Sequence, residues 1–99
     1  MNAKVNQLVL TASIVEIESL RYTPSGVPAL NFKLEHASEI TEAGKVRQVK
    51  ALLKSVSLGA VAESLAKQDI GSQWVFHGFL STPRNTKQIV FHIHTFVKD

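Results

Sequence analysis

Residues 28–36, PALNFKLEH, alternate strictly: Leu30, Phe32, Leu34 and His36 share one parity, while Asn31, Lys33 and Glu35 share the other. A period of two belongs to a β-strand with one buried face, because successive side chains leave opposite sides of the pleat. This strand is expected over about residues 28–37. The preceding TPSG is a turn, in which Pro24 fixes φ and Gly26 can take a positive φ. The run NQLVLTASIVEIESL, residues 6–20, has the same character but exceeds a common strand length, so it is expected to bend midway around small residues. A hairpin tip at Ala43-Gly44 leads into KVRQVKALLKSVS, a third strand over about 45–57. SQWVFHGFLS and KQIVFHIHTFV read as fourth and fifth strands, about 72–81 and 87–97, with Gly78 marking a bulge or bend.

Only LGAVAESLAKQDIG breaks the period. Val61 and Leu65, and Ala62 and Ala66, sit at helical spacing before Gly71, giving one short helix over about 60–68. The order is all-β with one helix: a five-stranded OB-fold barrel with the helix between strands 3 and 4, in a single domain, 1–99. An SH3-like barrel stays open on pattern alone. There is no cysteine among the 99 residues, so stability rests on packing, which fits a reducing cytosol. The amino terminus carries neither signal-peptide nor membrane-span features, so a cytoplasmic protein without membrane attachment is expected.

In a barrel one parity fills the interior. That set is Leu8, Leu10 and Ile14; Leu30, Phe32 and Leu34; Val49, Ala51 and Leu53; Trp74 and Phe76; Phe91 and Ile93. The opposite parity of strands 2 and 3 then presents Asn31, Lys33, Gln48 and Lys50, with Lys54 as a further candidate. In OB-folds this face, flanked by the first–second and fourth–fifth loops, binds oligonucleotides. The flanking loops contribute Arg21, Tyr22, Arg84 and Lys87, and Lys45 and Arg47 lie at the start of strand 3. The net charge of +3 permits an anionic partner without demanding one. Acidic residues gather at 16–18, 35–42 and 63–69, largely away from this face. Tyr22 is the one aromatic free of the core and is a candidate base platform.

Outward-parity Val9, Val15, Val75 and Phe96 form a candidate homodimer interface. His77, His92 and His94 cluster on neighbouring strands. With no cysteine and no HExxH, they are read as structural or interface residues, so no metal, cofactor or catalytic residue is assigned.

The segments NQLVLTASI, TPSGVPALNFKLEHAS, EAGKVRQVKALL and WVFHGFLS, together with VFH at 90–92, resemble in order and spacing the primosomal replication protein N (PriB) family. These are bacterial relatives of single-stranded DNA-binding proteins. The Pro-Ser-Gly-x-Pro turn followed by Phe-x-Leu-Glu-His, residues 24–36, is the strongest match. The resemblance implies a homodimeric OB-fold that binds single-stranded DNA, supports helicase reloading at stalled forks, and contacts the helicase PriA and, through it, DnaT. It places the protein in the bacterial cytoplasm, associated with the nucleoid. Where the family carries third-strand rings, this chain has Lys45 and Lys50, and its fourth–fifth loop keeps only Arg84 and Lys87. The resemblance therefore implies mainly electrostatic binding. A protein–protein adaptor that stimulates the helicase with marginal DNA binding is the alternative reading.

Overall fold

The computed structural model describes residues 4–99. Its elements are β1 (Leu8–Ile17), β2 (Arg21–Tyr22), β3 (Pro28–Glu42), β4 (Lys45–Leu58), α1 (Ala60–Ala66), β5 (Gln73–Ser81) and β6 (Val90–Val97). The strands run β1-β5-β6-β4-β3-β2, and β1 also pairs with β3, so the sheet closes on itself. All ladders are antiparallel except β4–β6, which is parallel. This is the five-stranded OB barrel, and it removes the SH3-like alternative. No helix of the described residues is long and apolar enough to cross a membrane.

The alternating strands bury one parity around Ile14, Leu30, Leu34, Phe76 and Phe91, all fully enclosed. Helix α1 plugs the barrel with Ala62 and Leu65. It ends earlier than its spacing suggests, at Ala66. The Gly26 φ of 86° matches the turn expected there, and Thr23 holds that turn by bonds to Gly26 and Val27. β2 was not legible as a strand. It exists because this tight turn lays Arg21 and Tyr22 against Ala29 and Pro28.

The β3–β4 hairpin is longer than expected. Ala43 and Gly44 both have positive φ, 53° and 77°, a two-residue turn that pairs Glu42 with Lys45 and lets β3 run to its tip. Residues 38–50 thus form a ribbon beyond the barrel, which leaves Val49 and Ala51, expected inside, only half-buried.

Two bulges reverse the parity. In β1, Ile14 pairs with Leu34 but Glu16 pairs with Lys33, leaving Val15 as the extra residue. The strand thus bends at Val15, a β-branched residue, and Ile17 turns in against the core. In β6, His77 pairs with Thr95 and Gly78 with Ile93, leaving His94 as the extra residue. Beyond it the inward and outward positions exchange. Phe96, expected outside and at the dimer interface, therefore packs inward, with its ring centroid 4.9 Å from Trp74 and 6.2 Å from Phe76. Gly78 sits at this seam because β6 passes so close that a Cβ there would run into the His92 carbonyl.

Candidate nucleic-acid interface

β3 and β4 pair continuously from Ala29–Leu58 to Glu42–Lys45. Leu30, Phe32 and Leu34 of β3 and Leu53, Ser55 and Ser57 of β4 face the interior. The opposite parity therefore builds the outer face.

Its centre is a pair of lysines. Lys33 and Lys54 are register partners on adjacent strands. Directly opposed residues hold their Cβ atoms about 4.5–5.5 Å apart, where like charges repel. The Val15 bulge sets Glu16 opposite Lys33, with Oε2 3.7 Å from the ammonium. Lys54 enters no ion pair among the described residues. β2 delivers Arg21 to the same cleft, where its Nη2 donates to Asn31 Oδ1 over 3.1 Å. The cleft encloses about 590 Å³ and ends at Val90 and His92 of β6.

The other expected residues lie around this centre. Tyr22 is 61% exposed and sits beside Arg21 but does not line the cleft. Lys50, opposite Ala37, shares the parity of Lys54 about 13 Å further along the ribbon. Lys45 and Arg47 have the opposite parity, that of Val49 and Leu53. Arg47 Nε is 3.0 Å from Glu42 Oε1, and Lys45 is Glu42's register partner. The structure therefore does not bring these two together with Lys33. Arg84 and Lys87 are exposed in the 82–89 loop, whose Pro83 reaches the cleft.

The acidic residues are not largely elsewhere, as the sequence suggested. Glu16 engages Lys33, Glu18 lines the cleft, and Glu35 and Glu39 share the outer parity of β3. Glu39 is held by Gln48, whose Nε2 donates over 2.7 Å. Closure of the barrel explains Glu16 and Glu18, because β1 follows β3 in the sheet, whereas Glu35 and Glu39 share the face simply by the alternation of β3 itself.

Lys54 and His92 are the residues that sequence reasoning under-weighted. Lys54 could have been found by counting back from the Ala43-Gly44 turn, which fixes it opposite Lys33. For His92 no local signal exists, because the parallel β4–β6 ladder brings it to the face. The His92 ring stacks on Phe79 at 4.7 Å, with His94 5.0 Å from the same ring. Burial, then the nearby His94, holds the His92 pKa below the ordinary histidine value. His36 lies elsewhere, with Nδ1 2.6 Å from the Thr11 carbonyl and Nε2 2.8 Å from the Ser38 hydroxyl, tying β3 to β1. Among the described residues no group of three or more His, Asp or Glu is placed to hold a metal ion.

Of the outward valines, Val9 is 50% exposed, Val15 stands at its bulge, and Val75 pairs with Val97. Val97 takes the outward place expected of Phe96.

Comparisons with known proteins agree with this architecture. Residues 6–95 match the model described as "another single-strand binding protein family". The replication restart protein PriB of Bordetella pertussis is 40% identical over 80 residues, covering 81% of this chain and 75% of that protein. The structure of PriB from Ralstonia solanacearum superposes with a TM-score of 0.87 at 36% identity, covering 96% of this chain and 98% of that one. The single-stranded DNA binding protein of Thermus aquaticus shares the fold, with a TM-score of 0.74 at 23% identity over 93% of this chain and 48% of that one.

Proposed function

This chain belongs to the replication restart PriB family of single-strand binding proteins, and we propose that it is a non-enzymatic single-stranded DNA-binding component of the replication restart primosome. DNA lies on the outer face of β3 and β4 and its flanking loops, and binding there supports helicase reloading at stalled forks. The observation that carries this reading is the opposed pair Lys33–Lys54, with Arg21 at the cleft rim. Two ammoniums set side by side, with one carboxylate on the far side of Lys33, leave an excess charge that a phosphate meets. Lys50, Arg84 and Lys87 extend the path and Tyr22 contributes at its margin, whereas Lys45 and Arg47, on the opposite parity of β4, lie off it.

Residues 1–99 act as one OB-fold domain in the bacterial cytoplasm, associated with the nucleoid. Two copies pair through the outer face of Val9, Val15 and Val75, joined by Val97 in place of Phe96. PriA, and DnaT through it, are the protein partners that family membership suggests. Titration of labelled oligo-dT at several salt concentrations tests the reading. Binding should weaken with salt, and Lys33→Ala and Lys54→Ala should each make the slope shallower, the two together by about 0.7, the contribution of one phosphate. Binding that is indifferent to both substitutions would refute this face as the DNA site.

One observation favours the adaptor reading. Glu16, Glu18, Glu35 and Glu39 share this face, which lowers its net positive charge and with it DNA affinity. If oligonucleotide fails to bind at low salt while the protein still stimulates PriA, the adaptor role is the principal one.

A further inference from the structure

β4 and β6 are joined only at Ser55–Phe91 and Val56–His92. Beside this short ladder the strands diverge, and the gap opens as a second cleft of about 400 Å³. Leu53 and Phe91 line it, together with Leu52 and Ile89, which are 65% and 62% exposed. Lys33 and Lys54 line this cleft as well as the first one. The lysine pair is thus a cationic ridge between two concavities, each with apolar lining. On the far side, Val56, Val90 and His92 line the first cleft.

Exposed aliphatic side chains favour cover, and an unbalanced ammonium pair favours an anion. A ligand that satisfies both places one negative charge on the ridge with a flat apolar group on either side. A dinucleotide step has this form. We infer that Lys33 and Lys54 seat one backbone phosphate of single-stranded DNA, that the base on one side lies against Val56, Val90 and His92, and that the base on the other enters the Leu52–Ile89 pocket. This inference rests on the single-stranded DNA reading above and adds to it the way bases are held. Where β4 offers no ring, Leu52 and Ile89 cover a base face by apolar burial. Such contact tolerates any base, since each has an apolar face.

The test compares labelled oligo-dT with an abasic oligonucleotide of equal length, which keeps every phosphate and lacks every base. Leu52→Asn and Ile89→Asn change exposed positions outside the core, and an unchanged melting midpoint verifies that each folds. Each should weaken oligo-dT binding about three- to tenfold, leaving abasic affinity and the salt slope unaltered. Lys54→Ala should weaken both ligands and make both slopes shallower. Equal losses on the two oligonucleotides, or no loss on either, overturn the base pocket. If lysine-dependent binding persists in that case, the single-stranded DNA reading survives. If wild-type protein binds neither oligonucleotide at low salt, that reading falls and takes the pocket with it. Cover by an acidic, apolar segment of a protein partner is then the surviving use of the surface.

Discussion

Glu16→Gln should tighten single-stranded DNA binding. The Val15 bulge sets Glu16 opposite Lys33, and the carboxylate lies 3.7 Å from the ammonium with both side chains substantially exposed, 54% and 37%. An exposed pair of this kind contributes about 0.2–1 kcal/mol, and a phosphate must displace it to engage Lys33. Removing the competitor therefore returns that amount to binding, a gain of about 1.4- to fivefold. Loss of a negative charge from the phosphate path acts in the same direction. Salt offers a second readout, since a freed Lys33 neutralises phosphate more completely. The slope of log K against log salt should steepen by up to about 0.7. Fluorescence anisotropy of a labelled oligonucleotide at four or five salt concentrations measures both quantities. Glu18→Gln changes an acid that lines the same cleft without pairing with Lys33, so it should raise affinity but leave the slope nearly unaltered. Affinity and slope both unchanged in Glu16→Gln would show that Lys33 contacts no phosphate, and the argument from the lysine pair would fail.

Gly78→Ala should be far more destabilising than Gly26→Ala, because a Cβ at 78 meets the backbone of β6 whereas a Cβ at 26 meets nothing and suffers only its φ of 86°. The first should cost about 3 kcal/mol or more, lowering the melting midpoint by about 12 °C or more, against about 1 kcal/mol for the second; similar midpoints would show the seam to be loose. Val75→Glu should dissociate a homodimer in sedimentation, whereas Phe96→Ala should lower the melting midpoint and leave assembly intact. Dissociation by Phe96→Ala alone would reverse that assignment. Because His92 is held below the ordinary histidine pKa, the unfolded chain binds the proton more readily. Its contribution to stability is present above the unfolded pKa and is lost as pH falls through that value towards the lower folded one, and His92→Gln should flatten this part of a melting-midpoint profile.

The five barrel strands, the helix position and the inward residues Leu30, Phe32, Leu34 and Phe76 were legible because each depends on local period alone. The turn at Thr23–Gly26 and the two-residue tip at Ala43-Gly44 were legible for the same reason, since φ preferences are local. Tip geometry further implied the Lys33–Lys54 register, because an antiparallel hairpin propagates its pairing from the turn. What could not be read was adjacency produced by closure. Nothing in the sequence around Glu16 announces that β1 will lie beside Lys33, and nothing around His92 announces a parallel contact with Val56.

The parity errors share one cause. An inserted residue changes no composition and little local pattern, yet reverses every side chain beyond it. In β6 the extra residue His94 and its neighbour Thr95 are both exposed, so polarity gives no sign of which one is extra. Only pairing with β5 decides it, and the decision moves Phe96 from a surface role to the core. In β1 the same event at Val15 carries a functional consequence. Without the extra residue, Val15 rather than Glu16 would follow Ile14 in the ladder and oppose Lys33, and no carboxylate would stand at the lysine pair. The bulge thus sets how much charge the face retains for a phosphate, so binding strength here depends on backbone register as much as on the number of lysines.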